Sequence, residues 1–213
     1  HHGIVDISYL RCLPNVIAMA PANEDELADM MFTATKVNHP TFIRYPRGNA
    51  EGVPIKNEPH LLEVGKALVQ QHFQNNGGRK VALFGLGPMN AIARKAADKL
   101  TDDGYDVAVI NPRFTKPIDA EIHEQFGREA DLVITLEDHV LMGGYGSAVL
   151  ELFNEKSVKT AVSRIGWPDQ FIEHATTQDE LRAKYGLSVE NTIAKVKGHF
   201  GDTTSATKLV GGA

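Results

Sequence analysis

Two arginines three positions apart, in Arg44-Tyr45-Pro46-Arg47-Gly48, are the residues of this sequence best suited by type and spacing to bind an anion. They close a short apolar run, Thr41-Phe42-Ile43, that has the composition of a buried strand. The carboxyl end of a strand is where α/β proteins place ligand-contacting side chains. Pro46 fixes its own φ and biases Tyr45 toward extended backbone, while Gly48 permits a sharp exit, so Arg47 is expected on a stiff support. A planar guanidinium there can offer two parallel N–H donors to a phosphate or a carboxylate. An interdomain salt bridge is an equal reading, and the spacing leaves both open.

Three other stretches invite chemistry. Glu137-Asp138-His139 puts two carboxyl groups beside an imidazole after the apolar run Leu132 to Leu136. That set could do acid/base work or hold a metal, but residues at a strand end more often cap neighbouring backbone or meet another subunit, which is the reading preferred here. Gly143-Gly144-Tyr145-Gly146-Ser147 follows directly and opens a helix. Gly85-Leu86-Gly87 comes after another apolar run, but it lacks the third glycine of a dinucleotide fingerprint and reads as a tight strand-to-helix turn.

The elements that must carry these residues follow from periodicity. Asp6 to Arg11 suits a short helix and Asn15 to Ala20 a strand. Asn23 is an N-cap candidate for a helix running to about Val37, and Thr41 to Tyr45 is the next strand. Residues 46–62, with Pro46, Gly48, Gly52, Pro54 and Pro59, have the composition of an extended linker. Val64 to Gln70 alternates like an edge strand, Asn75 to Gly78 is a hairpin-type turn, and Lys80 to Gly85 is a buried strand. Further strands are expected over Asp106 to Asn111, Leu132 to Leu136 and Thr160 to Ile165. Asp119 sits where a helix begins, and two amphipathic helices are expected near Thr177 to Tyr185 and Val189 to Phe200. The result is an α/β chain.

Its 42% hydrophobic content is ample for a packed core over 213 residues. A formal charge of −5 with no long basic run argues against nucleic acid or an anionic membrane surface as the main partner. No apolar stretch reaches the length of a membrane span. Cys12 is the lone cysteine, so an intrachain disulfide or a cysteine-built metal site is excluded, in keeping with a reducing compartment. The chain starts at His1-His2-Gly3 without a methionine and reads as a piece of a longer protein.

His1-His2-Gly3-x-x-Asp6, Tyr9-Leu10-Arg11-Cys12-Leu13-Pro14-Asn15, Arg44-Tyr45-Pro46-Arg47-Gly48 and Gly143-Gly144-x-Gly146-Ser147 together resemble one family. That is 1-deoxy-D-xylulose-5-phosphate synthase, in the transketolase superfamily. Phe114 to Asp119 and Gly166 to Ile172 add to the resemblance, which runs from His1 to about Phe200. It implies the end of a parallel-sheet pyrimidine-binding domain in residues 1–48, a linker in 49–62, a transketolase C-terminal-like α/β domain in 63–200 and a flexible tail in 201–213. It also implies the decarboxylative condensation of pyruvate with D-glyceraldehyde 3-phosphate, the first step of the non-mevalonate isoprenoid route, in a cytoplasmic or plastid homodimer. Thiamine diphosphate with Mg²⁺ would be the cofactor, bound mainly by an N-terminal part of the protein that precedes this stretch. By the resemblance, Arg47 holds the aldehyde's phosphate, His1 contacts the pyruvate-derived group and assists proton transfer, and Tyr9, Arg11 and Arg44 brace the site or an interface. The alternatives are a 2-oxoacid dehydrogenase beta-type subunit and a non-catalytic dimerisation module.

Overall fold

The computed structural model describes residues 3–48, 50–174 and 176–202. His1, expected to take part in catalysis, lies outside them, as do residues 203–213 of the expected tail.

The first part of the chain runs α1 (Asp6–Cys12), β1 (Ile17–Met19), α2 (Glu24–Ala34) and β2 (Thr41–Ile43). β1 and β2 pair in parallel, with Ile17 opposite Thr41 and Met19 opposite Ile43. Asn23 caps α2 as expected, its Oδ1 accepting the Glu26 N–H at 3.0 Å. The segment that follows has no helix or strand, but it is strapped to the acidic face of α2. The Glu24 carboxylate accepts the N–H groups of Gly52 (2.6 Å) and Val53 (2.8 Å), and Lys56 pairs with Asp25 and Asp29 at 2.7 Å.

The larger part comprises β3 (Leu68–Gln71), β4 (Lys80–Gly85), α3 (Met89–Asp102), β5 (Asp106–Asn111), β6 (Phe114–Lys116), α4 (Ala120–Glu129), β7 (Leu132–Val140), α5 (Tyr145–Glu155), β8 (Ala161–Trp167), α6 (Gln178–Lys184) and α7 (Val189–Phe200). Its five-stranded sheet has the order β3-β5-β4-β7-β8, parallel except for β3 at the edge. The central strands are apolar on both faces because helices cover both. Val81 and Leu83 pack with Ala93, Ala96 and Leu100 of α3, whereas Ala82 and Phe84 pack with Phe126 of α4 and Val149 and Phe153 of α5.

Two pairings depart from the expected order. β3 and β4 do not form the hairpin that Asn75 to Gly78 suggests, since β3 pairs antiparallel with β5. The buried Asp106 carboxylate draws the chain across, accepting the N–H groups of Gln74 (2.7 Å) and Asn75 (2.9 Å). β6, assigned to no element from the sequence, pairs antiparallel with β1 and makes a three-stranded sheet, β2-β1-β6. The two parts therefore share a sheet. Glu26, almost buried, adds to the junction by accepting from Asn111 Nδ2 (2.9 Å) and Arg113 Nε (2.7 Å).

The Gly85 turn is tight, as read from the sequence. A Cβ on Gly85 would fall 2.7 Å from Asn90 Cα, and Gly87 takes φ +58°, so the glycines serve the close entry into α3. At the other end, Gly201 caps α7 in the left-handed region, and Asp202 accepts from Tyr105 Oη (2.6 Å) and Arg79 Nη1 (3.1 Å). The chain is thus held at Asp202, inside the stretch expected to be tail.

Candidate functional site

The Arg44 to Gly48 stretch leaves β2 and enters the cleft between the two parts. The Arg44 N–H still bonds Met19 O at 2.8 Å, continuing the parallel ladder. Pro46 has no N–H to give, so pairing stops there and Arg47 stands off the sheet. The two arginines meet different fates as a result. Arg44 is drawn inward, its Nε 3.0 Å from Asp6 Oδ1, with Nη2 donating to the carbonyls of Gly3 (3.2 Å) and Asp138. It ties α1, β2 and the end of β7 together, the bracing role expected of it. Arg47 is exposed and has no hydrogen bond or ion pair among the described residues.

A cavity of about 450 Å³ lies beside this stretch, lined by Gly3, Asp6, Arg44 to Arg47, Asp138, Trp167 and residues of the α6 region. A second, of about 800 Å³, lies beyond it toward the start of α2. Tyr45, Pro46, Arg47, Gln178 and Arg182 line both and form the wall between them.

The structure separates the three residues of the Glu137 to His139 run. Strand alternation sends Asp138 to one face of the sheet and its neighbours to the other. Asp138 Oδ1 accepts Trp167 Nε1–H at 2.7 Å and Oδ2 accepts Arg182 Nη2 at 2.5 Å. Glu137 is buried and caps α5, its oxygens accepting the N–H groups of Tyr145 (2.6 Å) and Gly146 (2.9 Å). The glycine motif exists for this contact: a Cβ on Gly144 would stand 2.1 Å from Glu137 Oε2. The anion site at this helix start is therefore filled by the chain's own carboxyl group. His139 Nδ1–H donates to Val140 O at 2.7 Å, leaving Nε2 to accept from Ser8 N–H at 3.4 Å. Burial lowers its pKa from the ordinary histidine value. The capping reading thus describes Glu137, and Arg11 supports the same loop by donating to Gly143 O (2.9 Å) and Gly144 O (3.1 Å).

Arg182 and Trp167 are the site residues that sequence reasoning missed. Arg182 lies on an expected helix with no local signal distinguishing it from a solvated surface charge. Its link to Asp138 spans 44 positions.

Two buried groups make stability respond to pH in opposite directions. His123 Nδ1–H donates to Asp119 O and Nε2 accepts from Tyr145 Oη, both at 2.6 Å, and burial pushes its pKa down to about 4. As pH falls from about 6.5 to 4 the unfolded chain takes up this proton first, so stability is lost on acidification. Burial pushes Glu137 up to about 7, against the pull of the Gly146 and Tyr145 N–H groups and of Arg164 and Arg44. The unfolded chain releases that proton first as pH rises from about 4.5 to 7, so this contribution is lost on alkalinisation. Between about pH 4.5 and 6.5 the two largely offset each other. Glu137→Gln removes one of them, and urea unfolding of that variant is expected to lose stability on acidification more steeply than wild type, by about 1 kcal/mol per pH unit. Parallel curves for the two proteins would contradict this account.

Among the described residues no three His, Cys, Asp or Glu side chains converge as a metal site. The buried carboxyl groups of Glu26, Asp138 and Glu137 are each committed to partners already given. These residues do not fit a metal–diphosphate group.

Residues 70–192 match the family described as Transketolase, C-terminal domain, and residues 1–52 match Transketolase, pyrimidine binding domain. The curated protein 1-deoxy-D-xylulose-5-phosphate synthase of Acidobacterium capsulatum is 50% identical over 196 residues, covering 92% of this chain and 30% of that protein. The protein of the same name from Methylacidiphilum infernorum is 49% identical over 193 residues, covering 91% of this chain and 30% of its own length. The chain thus spans about 30% of the length of these relatives. A solved structure titled split gene transketolase, inactive beta4 tetramer, superposes with a TM-score of 0.79 at 32% identity, covering 92% of this chain and 61% of that one.

Proposed function

We propose that this chain, which belongs to the transketolase family through its C-terminal domain, supplies the aldehyde-binding part of a 1-deoxy-D-xylulose-5-phosphate synthase. The observation that carries the reading is Arg47. Its guanidinium is without a protein partner among the described residues, on backbone stiffened by Pro46, at the wall between the two cavities. The two synthases that this chain resembles at 49–50% identity support the same reading.

In this reading Arg47 gives its fork to the phosphate of D-glyceraldehyde 3-phosphate. The phosphate is remote from the carbonyl that reacts, so its binding energy orients the aldehyde without entering the bond change. His1 is proposed to hold or pass a proton at the pyruvate-derived group, for which an imidazole is suited near neutral pH. Thiamine diphosphate with Mg²⁺ is the proposed cofactor of the whole protein, which is proposed to be a homodimer. Because the described residues do not fit the metal–diphosphate group, it is assigned to the rest of the polypeptide.

The test is the full-length polypeptide carrying this chain, supplied with thiamine diphosphate and Mg²⁺. Release of labelled carbon dioxide from pyruvate is expected to rise sharply on adding D-glyceraldehyde 3-phosphate, with a deoxyketose phosphate found by mass spectrometry. Acetyl transfer to a lipoyl carrier, with no dependence on the aldehyde, would instead make it a 2-oxoacid dehydrogenase beta-type subunit.

A further inference from the structure

We propose that Arg182 is a second phosphate-binding residue of this site, brought from α6 to work beside Arg47. Arg47 leaves the small sheet and Arg182 stands on a helix of the other part, yet both line both cavities. Arg182 is held in place: Nη2 is 2.5 Å from Asp138 Oδ2, and Asp138 is itself fixed by the Trp167 indole at 2.7 Å. That arrangement leaves donors over. Trp167 Nε1–H is on one oxygen of Asp138 and Arg182 Nη2 on the other, and Arg182 Nε–H is buried with no hydrogen-bond acceptor among the described residues. Nη1 is 3.6 Å from Asp179 Oδ1, a fully exposed carboxylate beyond hydrogen-bond reach.

A purely bracing arginine would be expected to turn its Nε–Nη2 edge squarely onto one carboxylate. This one keeps a buried, desolvated donor unpaired, a state that an incoming acceptor relieves. The other charges around the first cavity are engaged: Arg44 with Asp6, and Glu173 with Lys184 at 2.8 Å. The ligand this combination suits is a phosphate monoester dianion, whose three terminal oxygens exceed what the two-donor edge of Arg47 can fill. The inference rests on the reading of Arg47 as a phosphate ligand and extends it to the residue that completes the contact.

The test uses the full-length polypeptide and two probes, inorganic phosphate as a competitor and D-glyceraldehyde as the aldehyde without phosphate. Arg182→Gln is expected to raise both the KM for D-glyceraldehyde 3-phosphate and the Ki of inorganic phosphate by about tenfold or more, the loss of a charge-assisted hydrogen bond. Any change in the KM for pyruvate or in kcat/KM with D-glyceraldehyde should be much smaller than these two. Arg182→Lys keeps the charge but not Nε–H, so it should weaken phosphate competition in the same direction, and it serves if the glutamine variant fails to fold. An unchanged phosphate Ki in the folded variants, or equal losses with pyruvate and with both aldehydes, makes Arg182 a brace only and overturns the proposal. If Arg47→Lys shifts the phosphate Ki and the Arg182 variants do not, Arg47 alone stands. The converse removes Arg47 and leaves Arg182.

Discussion

Arg47→Lys in the full-length protein is expected to raise the KM for D-glyceraldehyde 3-phosphate about tenfold, because a lysine keeps the charge but not the two-donor edge that matches a phosphate. Steady-state kinetics with each substrate varied in turn would read the effect. The melting temperature and the KM for pyruvate should hardly move, since Arg47 is exposed and makes no hydrogen bond or ion pair with another described residue. Stability and recognition are separable at this position because its donors are not used in folding. An unchanged aldehyde KM would remove Arg47 from the site.

Arg44→Met is expected to do the reverse. Arg44 is only 15% exposed in its side chain, and it bonds Asp6 while reaching two carbonyls from different segments. Methionine keeps much of the length and apolar stem, so the loss falls on the charge and its partners. Asp6 would be left a half-buried carboxylate without its counter-ion, and two carbonyls would lose a donor. Breaking a pair of this kind costs about 2–3 kcal/mol, somewhat below the figure for a fully buried pair because both side chains keep partial access to water. In a chain of this size that corresponds to a melting temperature lowered by about 5–10 °C. Hydrogen exchange should quicken first in α1, whose tie to the end of β7 is the one removed. A variant that melts with wild type and exchanges α1 amides no faster would show that Arg44 is not the brace. Two arginines three residues apart thus make a paired control, one altering recognition at constant stability and the other altering stability.

Much of the fold is written locally. The unbroken apolar runs of β4, β5 and β7 are what a sheet covered on both faces demands, and the sequence places all three. The caps at Asn23 and Asp119 are legible because a side-chain oxygen meeting a free N–H two or three residues on is a local event. The same holds for Pro46, which stops the ladder wherever the strand ends. Other features were not legible for a common reason. Phe114 to Lys116 is too short to show a period, and it becomes a strand only because β1 offers an open edge nearly a hundred positions earlier. The turn at Asn75 to Gly78 carries the chemistry of a hairpin, but a carboxylate at position 106 decides its partner.

At the site, residue types and backbone stiffness singled out Arg47 and grouped Glu137, Asp138 and His139 as one candidate. The tertiary structure took that group apart, since strand alternation and burial sent each side chain to a different partner. It also brought Arg182 to the cavity wall, which no pattern around position 182 could announce. Periodicity, caps and breakers are set within a few residues and can be read from order alone. Which unpaired donors end up facing one cavity is settled by packing between distant segments, and only the folded chain decides it.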